Sequence, residues 1–186
     1  MVEKEHLSEF TRLQDEALVR VRAGVNLSGY ISRFRAITLP SFEDSCAYEI
    51  LLAVGSGPVP SSNTAPAVAV RKVWRRSIDV EKFRDPVVRL KHGFGPLEPT
   101  IQEVQADIPL EAVNKLLSRA RAVTIPAHIV DDRIVLDGTN YELILGGGVF
   151  KSCFKWWSDA PTDWEPLSMI FGEIKALVDD TIVAVS

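Results

Sequence analysis

Short apolar segments separated by turn-forming residues recur along the chain, and they constrain its fold more than any other feature. They predict β-strands at about 47–54, 67–76, 100–108, 126–130, 133–136, 139–145 and 149–157. Asp137-Gly138 and the three glycines at 146–148 stand between the last of these segments, as turns do in β-hairpins. Because hairpins join antiparallel strands and strict strand–helix alternation is missing, we expect an α+β fold with a mostly antiparallel sheet.

Three longer segments carry apolar residues at helical spacing. An N-terminal helix is predicted up to Gly24, a middle helix from Leu110 to Val123, and a C-terminal helix from Thr162, which would form a capping box with Glu165. We expect these three helices to pack on one face of the sheet. A weaker helical pattern covers residues 28–36, and residues 181–186 fit either a last short strand or a frayed tail.

The length of 186 residues suits one α+β domain over 1–186. Residues 55–66 are rich in Gly, Pro and Ser, a composition that does not build a packed element. We interpret this segment as a mobile hairpin loop between two strands. The alternative is a domain boundary at the same place.

The charge of the chain is mildly acidic and unevenly distributed. The formal net charge is −4, which argues against a protein dedicated to coating nucleic acid. Residues 71–92 nevertheless hold eight Lys or Arg against three Asp or Glu, while residues 93–186 hold seven against fourteen. An apolar fraction of 46% excludes disorder of the whole chain.

The cysteine content and the N-terminus predict a cytoplasmic location and no membrane association. Cys46 and Cys153 are the only cysteines, and neither lies in a CxxC motif. The pair could form one disulfide, but a secreted disulfide scaffold would need more cysteines. The first residues show no basic segment followed by an apolar one, and no apolar run approaches the ~20 residues of a membrane helix.

Tryptophan is the most informative residue type. Trp156, Trp157 and Trp164 fall within nine positions. On a regular strand, neighbouring side chains point to opposite faces, so Trp156 and Trp157 cannot both enter one core layer. Either a helix or loop covers both sides of the strand, with Trp164 as part of the cover, or one indole forms an aromatic platform for a binding partner. The third alternative is a bulge at the end of the strand.

A basic stretch surrounds the fourth tryptophan. Arg71, Lys72, Arg75 and Arg76 flank Trp74, a combination that can hold a phosphate backbone and stack a base. Strand parity places Arg71 and Arg75 opposite Trp74, which weakens the stacking interpretation. The alternatives are a solvated edge strand or an intramolecular match to the acidic second half.

Candidates for catalysis are few. His6, His92 and His128 form no metal-binding motif, and we expect neither a metal nor a cofactor. Cys153 with His92 or His128 offers a nucleophile and a base, without a local signature for such a pair. The glycines at 146–148 are not a phosphate loop, because the next segment is a predicted strand and not a helix.

Residues 136–143, the Trp156-Trp157 pair and residues 164–167 together resemble a pattern of small bacterial proteins of undefined role. The resemblance covers about 50 residues and implies no named family, activity or catalytic residue. The expectation that the protein is bacterial rests on this resemblance.

The sequence leaves the function open and favours a non-enzymatic protein-interaction module of a bacterial cytoplasm, for example an immunity- or inhibitor-like protein. Its acidic second half would steer a basic partner. The alternatives are a small enzyme that uses Cys153 or a histidine, and a nucleic-acid binder that uses residues 71–91. The candidate binding residues are Trp156, Trp157, Trp164, Trp74, Arg71 and Arg75.

Overall fold

A computed structural model of the chain describes residues 2–54, 67–91, 97–126, 138–147 and 150–185. A 3₁₀ turn at Thr162–Trp164 precedes the last helix. In chain order the elements are α1 (Val2–Arg22), β1 (Tyr30–Pro40), β2 (Ser45–Ala53), β3 (Ala67–Trp74), α2 (Arg76–Arg84), α3 (Pro86–Lys91), β4 (Ile101–Asp107), α4 (Leu110–Ala122), β5 (Thr139–Gly147), β6 (Phe150–Trp157) and α5 (Glu165–Val183).

The described strands form a six-stranded sheet in the order β4-β3-β2-β1-β5-β6. Every neighbouring pair is antiparallel. The chain runs from β1 to β4 through successive neighbours, and the segment that contains α4 then returns to β5 on the other side of β1. The predicted α+β fold with an antiparallel sheet is confirmed.

The helices cover both faces of the sheet, so the expectation that they pack on one face is wrong. Phe34 and Ala36 of β1 face the core formed with α4 and α5. Ile37 and Leu39 of the same strand face α1. Because β1 is apolar on both faces, burial of a single face would leave a row of large side chains in water.

The predicted helix at 28–36 is also wrong, since residues 30–36 belong to β1. Tyr30, Ile31 and Phe34 fit helical spacing, which suggested the helix. In the structure the pairing of β1 with β2 shifts register between Ser32 and Phe34. A bulge of this kind adds one residue and breaks the period of two, so the strand pattern is hidden in the sequence.

The last helix has the predicted apolar face but not the predicted start. Leu167, Phe171, Ile174 and Val178 are buried along α5. The capping box is absent: no side chain caps the helix, and the 3₁₀ turn closes through the Trp164 backbone N–H donating to the Pro161 carbonyl at 2.7 Å. α5 continues to Val183, so residues 181–183 are helical and form neither a last strand nor a frayed tail.

The predicted loop at 55–66 and most of the segment predicted as strands at 126–136 lie outside the described residues. The strands on either side of 55–66 do pair, with Leu52 opposite Ala67. The single-domain organisation stays a prediction. In the described part of the chain, no helix has the length and hydrophobicity needed to cross a bilayer.

Candidate interaction surface

The two adjacent tryptophans of β6 point to opposite faces of the sheet. Trp156 lies opposite Tyr141, whose side chain belongs to the core beneath α5, and Trp157 lies opposite Asn140. Trp156 is 7% exposed, whereas Trp157 is partly exposed. The two side chains therefore have different environments, and they are best treated as separate candidates.

Trp156 belongs to an aromatic cluster of the core. Its ring stacks on Tyr141 with a centroid distance of 5.6 Å and meets the edge of Phe171 at 5.6 Å. Trp164 covers the cluster from the 3₁₀ turn, with its ring 6.4 Å from Trp156 and 5.7 Å from Phe154. Such pairs add stability beyond the area they bury, so Trp156 and Trp164 serve packing between β6 and α5.

Trp157 is the partly exposed tryptophan of the pair. Its indole nitrogen is buried and has no hydrogen-bond acceptor among the described residues. Gly138 allows this packing, because a Cβ there would lie 2.7 Å from the indole nitrogen and 2.1 Å from Ser158 Oγ. The edge of the indole thus packs against Gly138, and the exposed part of the ring lies on the face of β6 opposite Trp156.

Every second residue of β6 lies on the same face as Trp157. We call Lys151, Cys153, Lys155 and Trp157 the β6 strip. Lys151, Cys153 and Lys155 are exposed. Helix α1 packs on this face against β1, β2, β3 and β4. The strip therefore lies beside α1 and not beneath it.

Beside the strip, Glu142 of β5 is buried and holds two cations. Arg22, near the end of α1, donates from Nε to Glu142 Oε1 at 2.9 Å. Lys155 Nζ lies 3.3 Å from the same oxygen. The side chains of Arg22 and Lys155 are 41% and 59% exposed, so their charges remain accessible at the surface.

A second buried carboxylate, Glu49 of β2, anchors the chain that follows α1. Arg35 Nη2 donates to Glu49 Oε1 at 3.2 Å, and the Val25 backbone N–H donates to Oε2 at 2.9 Å. Arg35 Nη1 also donates to the Arg22 carbonyl at 2.7 Å. Gly24 leaves room for the guanidinium, because a Cβ there would lie 2.0 Å from Arg35 Nη2.

The region formed by the β6 strip and the end of α1 carries more cations than carboxylates. Its two buried carboxylates, Glu49 and Glu142, are accompanied by the four cations Arg22, Arg35, Lys151 and Lys155. The chain as a whole has a net charge of −4. The surface that displays Trp157 is therefore locally basic, which favours an acidic partner over the basic partner expected from the charge of the second half.

Trp74 is a core residue with a satisfied indole. It is 1% exposed, and its Nε1 donates to Asp79 Oδ2 at 2.8 Å. The buried Asp79 also accepts from the Thr100 backbone N–H at 2.8 Å and lies 3.4 Å from Lys82 Nζ. This network joins α2 to the start of β4, so Trp74 is not available as a stacking platform.

The basic residues around Trp74 are engaged within the protein. Arg71 Nη1 donates to Asp179 of α5 at 2.8 Å, and Lys72 Nζ lies 3.5 Å from Glu103 of β4. Arg75 donates to Gln102 Oε1 at 2.6 Å. Because β3 lies between β2 and β4, the edge-strand interpretation is wrong. The contacts of Arg71 and Lys72 match the alternative of pairing with the acidic second half.

The two cysteines are free and lie on opposite faces of the sheet. Cys46 packs against the core beneath α5, where burial raises the pKa of its thiol. Burial also raises the pKa of the neighbouring Tyr48 phenol above its usual range. Both groups are thus neutral at physiological pH, and a neutral thiol is a poor nucleophile.

The exposed Cys153 lies opposite Ile144 on the α1 side of the sheet. His92 and His128, its candidate partners, lie outside the described residues. No group of three or more His, Cys, Asp or Glu side chains that could hold a metal is found in the part of the chain that the structure describes.

Sequence reasoning missed the basic residues of this surface, namely Lys151, Lys155 and Arg22. The signal for the first two was present, because alternation along 150–157 places both lysines on the face of Trp157. Arg22 and Glu142 are 120 positions apart, and no local pattern connects them.

The chain matches no known protein family, no curated protein and no solved structure. The assignment of a function therefore depends on the geometry described above.

Proposed function

We propose that the chain is a non-enzymatic protein-interaction module and that the β6 strip is its contact surface. One observation carries the proposal: β6 displays three exposed side chains and a partly exposed tryptophan on one face, beside a helix that packs on β1 to β4. Tryptophan contributes strongly to protein interfaces because it removes a large area from water with few torsions to restrict.

The cysteine geometry argues against an enzyme that uses both thiols in one site, while the alternative of Cys153 with His92 or His128 stays a hypothesis because both histidines lie outside the described residues. Cys46 and Cys153 lie on opposite faces of the sheet and cannot act in one site. The raised pKa of Cys46 reduces its thiolate fraction. A binding function needs no such activated group.

The proposal includes a cytoplasmic location, supported by two free cysteines in a chain with no other cysteine. A bacterial origin and an immunity- or inhibitor-like role remain parts of the hypothesis. An inhibitor would use the β6 strip to cover a functional surface of its partner.

Affinity capture with substituted proteins tests the proposal. We expect Trp157→Ala to weaken saturable binding of a captured partner by at least tenfold, since truncation of an interface tryptophan commonly costs ~2 kcal/mol or more. The matched control is Met169→Ala on α5, because Met169 is exposed on the other side of the sheet. Equal binding by the wild type and both variants would exclude the strip as the contact surface.

A further inference from the structure

We propose that the β6 strip binds an acidic amphipathic helix of a partner protein, which lies beside α1 on the same face of the sheet. This inference rests on the proposed interaction function and adds the chemistry of the partner. It follows from the width of the sheet that the described helices leave uncovered, from its charge and from its apolar residues.

The width of the sheet beside α1 suits one helix. Neighbouring strands lie about 4.8 Å apart, so β5 and β6 together extend the sheet by roughly 10 Å beyond β1. Packed helices lie about 8–10 Å apart. Helix α1 packs mainly against the other four strands and meets β5 through Arg22 and the packing of Ile144. A second helix placed over β5 and β6 would therefore be in contact with both the sheet and α1.

The charges of this region select an acidic helix. Arg22 from α1 and Lys155 from β6 approach the same oxygen of Glu142 from two sides. Glu142 lies beneath them with a side chain only 6% exposed, so an incoming carboxylate would meet the two cations and not the buried acid. Lys151 adds a third exposed cation on the same face, at the opposite end of the strip from Trp157.

Apolar side chains lie beside these cations. Ile144 of β5 and Leu18 of α1 are partly buried and pack against the same small core. Trp157 lies further along the strip on the same face. Ile144 lies opposite Cys153, four residues from Trp157 along β6, so a helix with apolar residues at i, i+4 and i+8 would cover both side chains. Carboxylates on its flanks would face Arg22 and Lys155.

The partner is first identified by capture with the wild-type protein and purified. The first experiment then measures how tightly it binds two variants, each with one reversed charge. Lys151→Glu changes the strip, and Lys115→Glu changes an exposed position on α4 across the sheet. We expect Lys151→Glu to weaken binding at least tenfold and Lys115→Glu to leave it within twofold. Raising the salt concentration from 50 to 500 mM should weaken wild-type binding and affect Lys151→Glu less.

The second experiment maps the bound segment. Cys153 is exposed and Cys46 is partly buried, so a benzophenone maleimide can be attached at Cys153 in a Cys46→Ser background. Photolysis with the partner should crosslink a helical segment rich in Asp and Glu. A control probe at Ser118→Cys on α4, with both native cysteines replaced by serine, should give no crosslink to that segment.

The outcomes separate the two proposals. If Trp157→Ala abolishes binding while Lys151→Glu does not, the interaction surface stands and the acidic helix is excluded. A crosslink from Cys153 to an extended strand that adds to the edge of β6 likewise excludes the helix. If no saturable partner is captured, or if Trp157→Ala leaves binding unchanged, the proposed function itself fails and the inference with it.

Discussion

Buried carboxylates at single positions hold the α1 side of the molecule together. Glu49, Asp79 and Glu142 are nearly inaccessible to water, and each has a cationic side chain within 3.4 Å. A buried carboxylate is costly unless it is both paired and hydrogen-bonded. Substitutions that displace one partner should therefore cost more than the loss of an ordinary surface ion pair.

Gly24→Ala should destabilise the protein through Arg35. The new Cβ would lie 2.0 Å from Arg35 Nη2, the far end of a flexible side chain, so the guanidinium must shift and its 3.2 Å hydrogen bond to Glu49 should weaken. Weakening of a hydrogen bond between charged groups should lower the free energy of unfolding by about 1 kcal/mol. Urea denaturation monitored by tryptophan fluorescence measures the change.

Gly172→Ala is the matched control and should have the opposite sign. Gly172 lies within α5, and no atom lies within 4 Å of the position that its Cβ would occupy. Replacing an unhindered helical glycine by alanine should raise stability by about 0.5–1 kcal/mol. If Gly24→Ala is as stable as the wild type, the guanidinium does not need the space that the glycine provides.

The two thiols should differ in reactivity. Cys153 is exposed, whereas burial raises the pKa of the Cys46 thiol and lowers its thiolate fraction at a given pH. Ellman's reagent at pH 8 should give one fast and one slow phase of equal amplitude in the native protein. Cys153→Ser should remove the fast phase, and retention of that phase in this variant would show that Cys46 is accessible.

At the scale of elements, strand β6 places its two adjacent tryptophans in different environments. Its alternation sends Trp156 into the cluster with Tyr141 and Phe171, and Trp157 to the other face. This consequence of the pleat was predictable from residues 150–157 alone. Which of the two indoles would be covered was not, because the cover of Trp156 comes from α5 and from the turn at Trp164.

Alanine substitutions should distinguish the two indoles by their contribution to stability. Trp156→Ala removes a buried ring from an aromatic cluster and should cost about 3–5 kcal/mol. Trp157→Ala should cost about 1–2 kcal/mol, because its ring is only partly buried. Chemical denaturation of both variants gives the comparison. A larger loss for Trp157→Ala would mean that this side chain is mainly structural.

Elements with a regular period and clear ends were predictable, and irregular ones were not. The helical spacing of α4 and the two strands around 55–66 needed only local information. Strand β1 was missed because the shift at Ser32–Phe34 breaks its alternation. The start of α5 was misjudged because Thr162 enters a 3₁₀ turn, where its hydroxyl makes no capping bond.

At the scale of the whole molecule, the sheet is enclosed by helices on two sides, and this arrangement buries ionisable groups in its interior. Tyr48 lies in the core beneath α5 and is 5% exposed, with Cys46 close to it on the same strand. Both groups keep their protons in the folded state to a higher pH than in the unfolded chain, because burial raises each pKa.

Stability should therefore fall on the alkaline side. Above the unfolded-state pKa values, about 8.5 for Cys and 10 for Tyr, the folded state binds more protons than the unfolded state, so the free energy of unfolding decreases with pH. Each group contributes a slope of at most ~1.4 kcal/mol per pH unit. Urea denaturation of the wild type at pH 8 and pH 10.5 should show this loss.

Tyr48→Phe is the control for the alkaline loss. The variant lacks the phenol and should lose less stability than the wild type between the two pH values. Equal losses in the two proteins would place the responsible groups elsewhere in the chain.

The sequence by itself determined the fold class and the opposite directions of Trp156 and Trp157, because turn signals and strand alternation act over a few residues. Only the tertiary structure decided that helices cover both faces and that Arg22 meets Glu142 across 120 positions. The cover of each indole and the basic character of the β6 strip depend on where α1 and α5 dock. That docking is set by apolar contacts between residues far apart in the chain, which no local pattern records.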